Sequence, residues 1–157
     1  MKKFLFFIFI LAVYVLEIGV FGRFFNIFFI SALPVITAFF ICKKNLSLAV
    51  LLPLIYGFAL DVAAGFRLPV NFLFSVVGLS GGLLAQKRGL DFSSNKNAVL
   101  LTCSLAILRV LIMLAVSPAG FNLPYLSKTI LLNILFSILC YFLFDFVWKK
   151  SVQREVL

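Results

Sequence analysis

Three ionisable residues sit inside long apolar runs of this chain: Glu17, Asp61 and Arg109. In a lipid interior each costs about 2.5 to 3.5 kcal/mol on insertion scales, so such groups face the protein interior, a partner or water. Two carboxylates and a guanidinium placed there can form an ion pair that sets helix register, hold a ligand, or carry a proton. Counted from the same end of their helices at ~1.5 Å per residue, Glu17 lies at roughly 20 Å, Asp61 at roughly 22 Å and Arg109 at roughly 16 Å. A long Arg side chain spans that difference, so Arg109 is expected to pair with Asp61, Glu17 or both. The chain has no His, and no Ser or Cys has an activating partner nearby in sequence. No catalytic set is read, and the chain is not expected to be an enzyme. Cys42, Cys103 and Cys140 lie far apart without a C-x-x-C spacing. They read as small apolar residues rather than metal ligands, and no metal or cofactor is expected.

The elements that position these charges follow from composition. The 157 residues are 64% hydrophobic and only 12% charged, and the mean hydropathy is +1.22. A soluble domain is nearer half apolar and a quarter charged. The fold class is therefore an all-α integral membrane protein, a single polytopic domain over 1–157. At ~20 residues per span, six transmembrane helices with short loops fit, at about 4–22, 24–42, 46–64, 69–86, 98–116 and 128–148. The start Met1-Lys2-Lys3 and the apolar run after it resemble a secretory signal. The run is long for one and lacks a cleavage site, so it reads as a retained first helix. Pro34 falls in the middle of the second predicted span, where it is expected to kink the helix and free a carbonyl for a neighbour to satisfy; Pro53 lies one turn before Gly57 in the third. Gly65 to Pro69 reads as a tight turn, with Asn71 just beyond it, placed to bond the freed backbone. Gly78 and Gly82 form a G-x-x-x-G that lets helix backbones approach, by default within the chain. Residues 87–97 read as a polar loop. Residues 117–127, which carry no charge but contain the breakers Pro118, Gly120 and Pro124 and the aromatics Phe121 and Tyr125, read as an interfacial loop. The 21 Phe residues read as lipid-facing bulk.

Charge sets the predicted orientation. The net charge of +9 belongs to a membrane protein's loops here, and no nucleic-acid partner is implied. With six spans, one side carries Lys2, Lys3, Lys43, Lys44, Lys87, Arg88, Lys96, Lys149, Lys150 and Arg154, whereas the other carries Arg23, Arg67 and Lys128. Ten against three in short loops places both termini in the cytoplasm. Two polar rows complete the pattern. Thr102, Ala106, Arg109 and Met113 share a face of the fifth span, and Thr129, Asn133, Ser137, Tyr141 and Asp145 recur every four residues on the sixth. Each row reads as a ridge packed on a neighbouring helix. Asp145 is one turn from Lys149, an i,i+4 pair.

The Asp61 hairpin resembles that of the rod shape-determining protein MreD family. The resembling residues are Gly57, Asp61 and Gly65, then Leu68-Pro69-Val70-Asn71 leading into the next helix. Length, six short-looped spans, a basic loop after the fourth span and a nearly bare tail fit as well. Pro69 stands where the family usually has glycine, and Arg109 has no counterpart carried over. The resemblance implies a non-catalytic scaffold in the bacterial inner (cytoplasmic) membrane. Its implied partners are an MreC-like single-span protein, the RodA and penicillin-binding protein pair that builds side-wall peptidoglycan, and indirectly the MreB cytoskeleton. On that reading Gly57, Asp61, Gly65, Asn71, Gly78 and Gly82 are partner-binding or structural. The competing reading is the substrate-binding subunit of an energy-coupling-factor vitamin transporter, also small, basic and six-spanned. It needs a polar pocket in the outer half, with the loop 117–127 as lid. A third is a small membrane protein with a purely structural role.

Overall fold

A computed structural model describes residues 2–22, 31–44, 46–65, 68–92, 94–116 and 123–152. Their regular structure is entirely helical: α1 (Lys2–Leu16), continued by a π-helical segment (Glu17–Gly22), α2 (Leu33–Cys42), α3 (Leu46–Ala64), α4 (Val70–Lys87), α5 (Asn95–Val116) and α6 (Leu123–Val152). Three stretches are long and apolar enough to cross a membrane: Ser47–Ala64, Asn95–Val116 and Ser127–Lys150. Their outer faces are bare hydrocarbon, as at Leu131, Leu135, Leu139 and Phe142 on α6. That is a surface for lipid, not water.

The bundle is built around α2, which packs against α3, α4, α5 and α6. Nine consecutive residues, Leu33 to Ile41, are buried. A helix apolar on every side can be buried on every side. α3 packs on α4 and α5 on α6, and α1 closes the bundle against α6. Phe6, Phe39, Phe144 and Trp148 interlock here, with ring centroids 5.0 to 5.9 Å apart. Phe6, Phe39, Phe40, Phe74 and Phe144 are thus core, while Phe7, Phe58, Phe142 and Phe146 face outward. The reading of phenylalanine as lipid-facing bulk holds only for the second group.

Helix ends differ from the sequence reading in three places. The second span is not one helix from 24 to 42: Ser31 and Ala32 are non-helical and α2 starts at Leu33. Pro34 therefore stands in the first turn, where its missing N–H costs nothing, and kinks no helix. α5 starts at Asn95, inside the predicted polar loop, because Ser94 caps it: the Asn97 amide donates to Ser94 Oγ at 3.3 Å. α6 runs for 30 residues from Leu123, so Pro124 opens a helix instead of breaking a loop. The readings of Arg23, Arg67, Phe121, and the loop at 117–122 lie outside the described residues, as does the Tyr125 side chain.

One end of the bundle is basic. Lys43, at the end of α2, and Lys149, near the end of α6, both grip Asp145, at 2.9 and 2.7 Å. The short connections place the start of α3, the end of α4 and the start of α5 at that same end, with Lys44, Lys87, Arg88 and Lys96. The Phe6–Trp148 contact brings the first turn of α1 there too.

Candidate functional site at two buried helix starts

A helix begins with four backbone N–H groups that have no partner in the helix itself. In water they are solvated; in a membrane interior they need an acceptor. In this molecule two carboxylates supply it, one for α4 and one for α2.

Asp61 lies in the last turn of α3 and is 4% exposed. Its Oδ1 accepts from the Asn71 amide N–H and from Asn71 Nδ2, each at 2.9 Å, and its Oδ2 accepts from the Phe72 N–H at 2.9 Å. Pro69 occupies the N-cap position of α4 and has no capping side chain. Asp61 takes over that function from the preceding helix, and its charge sits at the positive end of the α4 dipole. The turn that makes this possible needs Gly65, whose φ is +66°, a conformation that costs glycine nothing. It also needs α3 and α4 in near contact. A Cβ on Gly57 would lie 2.7 Å from the Asn71 carbonyl oxygen and 2.7 Å from Ser75 Oγ. Ser75 completes the seam by donating to the Pro53 carbonyl at 2.9 Å. Asn71, read from sequence as a group that bonds the freed backbone of this hairpin, instead spends its side chain on Asp61 and Arg109. Its Nδ2 meets Asp61 and its Oδ1 accepts from Arg109 Nε at 3.0 Å.

Glu17 opens the π-helical segment and is 7% exposed. Its Oε2 accepts from Tyr56 OH at 2.7 Å and from the Ala32 N–H at 3.2 Å. Beside it, Ser31 Oγ accepts from the Leu33 N–H at 3.1 Å. Glu17 thus covers the start of α2 as Asp61 covers the start of α4. Tyr14 braces the arrangement, donating from its hydroxyl to the Ala59 carbonyl at 3.0 Å and meeting Tyr56 edge-on at 5.3 Å.

Arg109, 1% exposed on α5, lies in the electrostatic field of both carboxylates. Glu17, Asp61 and Arg109 thus lie within electrostatic reach of one another, with Asn71 bridging Asp61 and Arg109. The α2 start, Tyr56, Ser31 and Ser75 were not read from sequence. Ser75, one turn after Asn71, is the one that carried a usable signal.

The G-x-x-x-G of α4 packs inside the chain. Gly78 lies against Leu105 of α5, and Gly82 lies so close to Ile41 of α2 that a Cβ would sit 2.6 Å from its Cδ1. The polar rows also face inward: Thr102, Arg109 and Met113 on α5, and Thr129, Asn133, Ser137, Tyr141 and Asp145 on α6, are buried. Within the second row Asn133 Oδ1 and Ser137 Oγ meet no hydrogen-bond partner. Cys140 is buried and Cys42 and Cys103 are half-buried, all three as free thiols. Among the described residues no cluster of His, Cys, Asp and Glu is arranged to hold a metal. The arrangement as a whole neutralises helix ends and fixes the neighbours' positions. No family model, curated protein or solved structure matches this chain.

Proposed function

We propose that the chain is a non-catalytic scaffold of the MreD kind, a multi-pass protein of a bacterial inner membrane with six spans and both termini cytoplasmic. It binds the single span of an MreC-like partner and supports side-wall peptidoglycan synthesis by a RodA–penicillin-binding protein pair. The observation that carries the reading is the α3–α4 hairpin. The residues that resemble the family, Gly57, Asp61, Gly65 and Asn71, are those through which this hairpin closes on itself. The gathering of basic residues at one end supports the orientation. The buried charges contact groups of the chain itself, which suits a rigid platform whose outer faces do the binding.

The test is a tagged pull-down in mild detergent from native membranes. Recovery of an MreC-like single-span protein, with the synthase at lower yield, is expected. Recovery of two ATPases and a second membrane subunit overturns the reading in favour of a substrate-binding transporter subunit. For that alternative the observation in favour is the pair of orphaned polar atoms, Asn133 Oδ1 and Ser137 Oγ, deep in the bundle.

A further inference from the structure

A groove of about 470 Å³ opens between α1 and α3. α1 packs against α6 whereas α3 packs against α2 and α4, so the two helices draw apart between their tyrosine contact and the basic end. One wall is Phe7, Ile8, Ile10 and Leu11, and the other is Leu52 and Ile55. Tyr14, Tyr56 and Ala59 close the deep end. Leu11 and Ile55, 61% and 56% exposed, form the lips and open sideways.

Three features define what fits. The only polar side-chain atoms of the lining are the two tyrosine hydroxyls, and both already donate within the chain, to Ala59 O and to Glu17. The groove therefore offers nothing to a polar ligand. Its walls are bulky, with Ala59 the single small residue, whereas helices associate in membranes through small residues that admit a second backbone. A partner helix is thus poorly matched, while the volume falls in the range of about 300 to 1,000 Å³ usual for small-molecule sites. Finally, Leu52 to Ala59 lie roughly 9 to 20 Å along α3 from its basic end. That is acyl-chain depth, beneath the exposed Lys44 at headgroup level.

We propose that this groove holds one acyl chain of a phospholipid from the leaflet on the basic side, with its methyl end against the Tyr14–Tyr56 pair. The inference needs α1 and α3 to lie in a bilayer and does not depend on the scaffold reading. The experiment reconstitutes the full chain in bilayers that contain a phospholipid with a photoreactive diazirine in mid-chain, followed by mass mapping of the adducts. Labelling within 7–14 and 52–59 should exceed, by several-fold, that of the lipid-facing residues Leu135, Leu139 and Phe142. Leu52→Trp should reduce it to that background, and Val62→Trp, on α3 outside the groove, should not; Ile8→Trp fills the groove from the other wall if Leu52→Trp does not fold. Equal labelling of groove and α6, meaning ordinary surrounding lipid only, overturns the proposal. So does labelling that survives both filling variants, or a photoreactive residue at Ile55 that captures a protein helix in native membranes.

Discussion

Asp61 and Glu17 solve the same problem at different ranges. Each is a buried carboxylate at the start of a helix that is not its own. Asp61 receives its donors from residues 10 and 11 positions away, across one glycine turn. Glu17 receives its own from 15 and 39 positions away, just before α2 and on α3. The first site is a property of a hairpin and forms when α3 and α4 meet. The second exists only when α1, α2 and α3 are all in place. Local capping should therefore show up as stability of the hairpin, and distant capping as cooperativity of the bundle.

The largest effect should come from Asp61→Ala, which strips the acceptor from two backbone N–H groups and the Asn71 amide. Unsatisfied buried donors cost about 1 to 3 kcal/mol each and the losses overlap, so a total of about 3 kcal/mol is expected in detergent unfolding, with Asp61→Asn recovering part of it. An unchanged midpoint would show that the carboxylate does not cap α4. Gly57→Val should come next, at about 1 to 3 kcal/mol for overpacking. A methyl-bearing Cβ there meets backbone and must push α4 away, whereas Gly81→Ala, with open space around it, should be silent. If both glycines tolerate the change equally, the close approach of α3 and α4 is not what brings Asp61 within reach. Tyr56→Phe should cost about 1 kcal/mol, and a double-mutant cycle with Glu17→Gln should show coupling of the same order. Additive losses would mean that Glu17 holds the α2 start without Tyr56. The smallest effect is at the basic end. Lys149→Ala should lose only about 0.5 kcal/mol and less at high salt, because Lys43 remains on Asp145.

This contrast also explains which parts were readable in advance. The α3 boundaries, the Gly65 turn, the Asp145–Lys149 pair and the inward polar rows depend on neighbours one turn or one hairpin away, and they stood out. Equal predicted depth joined Glu17, Asp61 and Arg109 in one expectation, whereas the bridge through Asn71 was not read. The start of α2 was not read either. Hydropathy runs on past Ser31 and Ala32, and the carboxylate that meets the Ala32 N–H, that of Glu17, comes from 15 positions away. The α5 start was hidden for a different reason, since Ser94 was counted as loop polarity rather than as a cap. In α6 the breakers Pro118, Gly120 and Pro124 suggested a start farther along than the backbone adopts, although Pro is at ease in a first helical turn.

The clasp of Lys43 and Lys149 on Asp145 has a meaning in time as well as in space. Lys43 and Asp145 are 102 positions apart, and the aromatic cluster beside them joins Phe6 to Trp148. A chain made from its N-terminus exposes Lys43 and Phe6 long before their partners exist. Until α6 emerges, α1 and α2 lack that wall, and contacts of such separation form last because the intervening loop must be closed first. The final helix is therefore the latch of the biosynthetic sequence, and a nascent chain arrested before Asp145 would be an open bundle available to whatever chaperone or partner waits in the membrane.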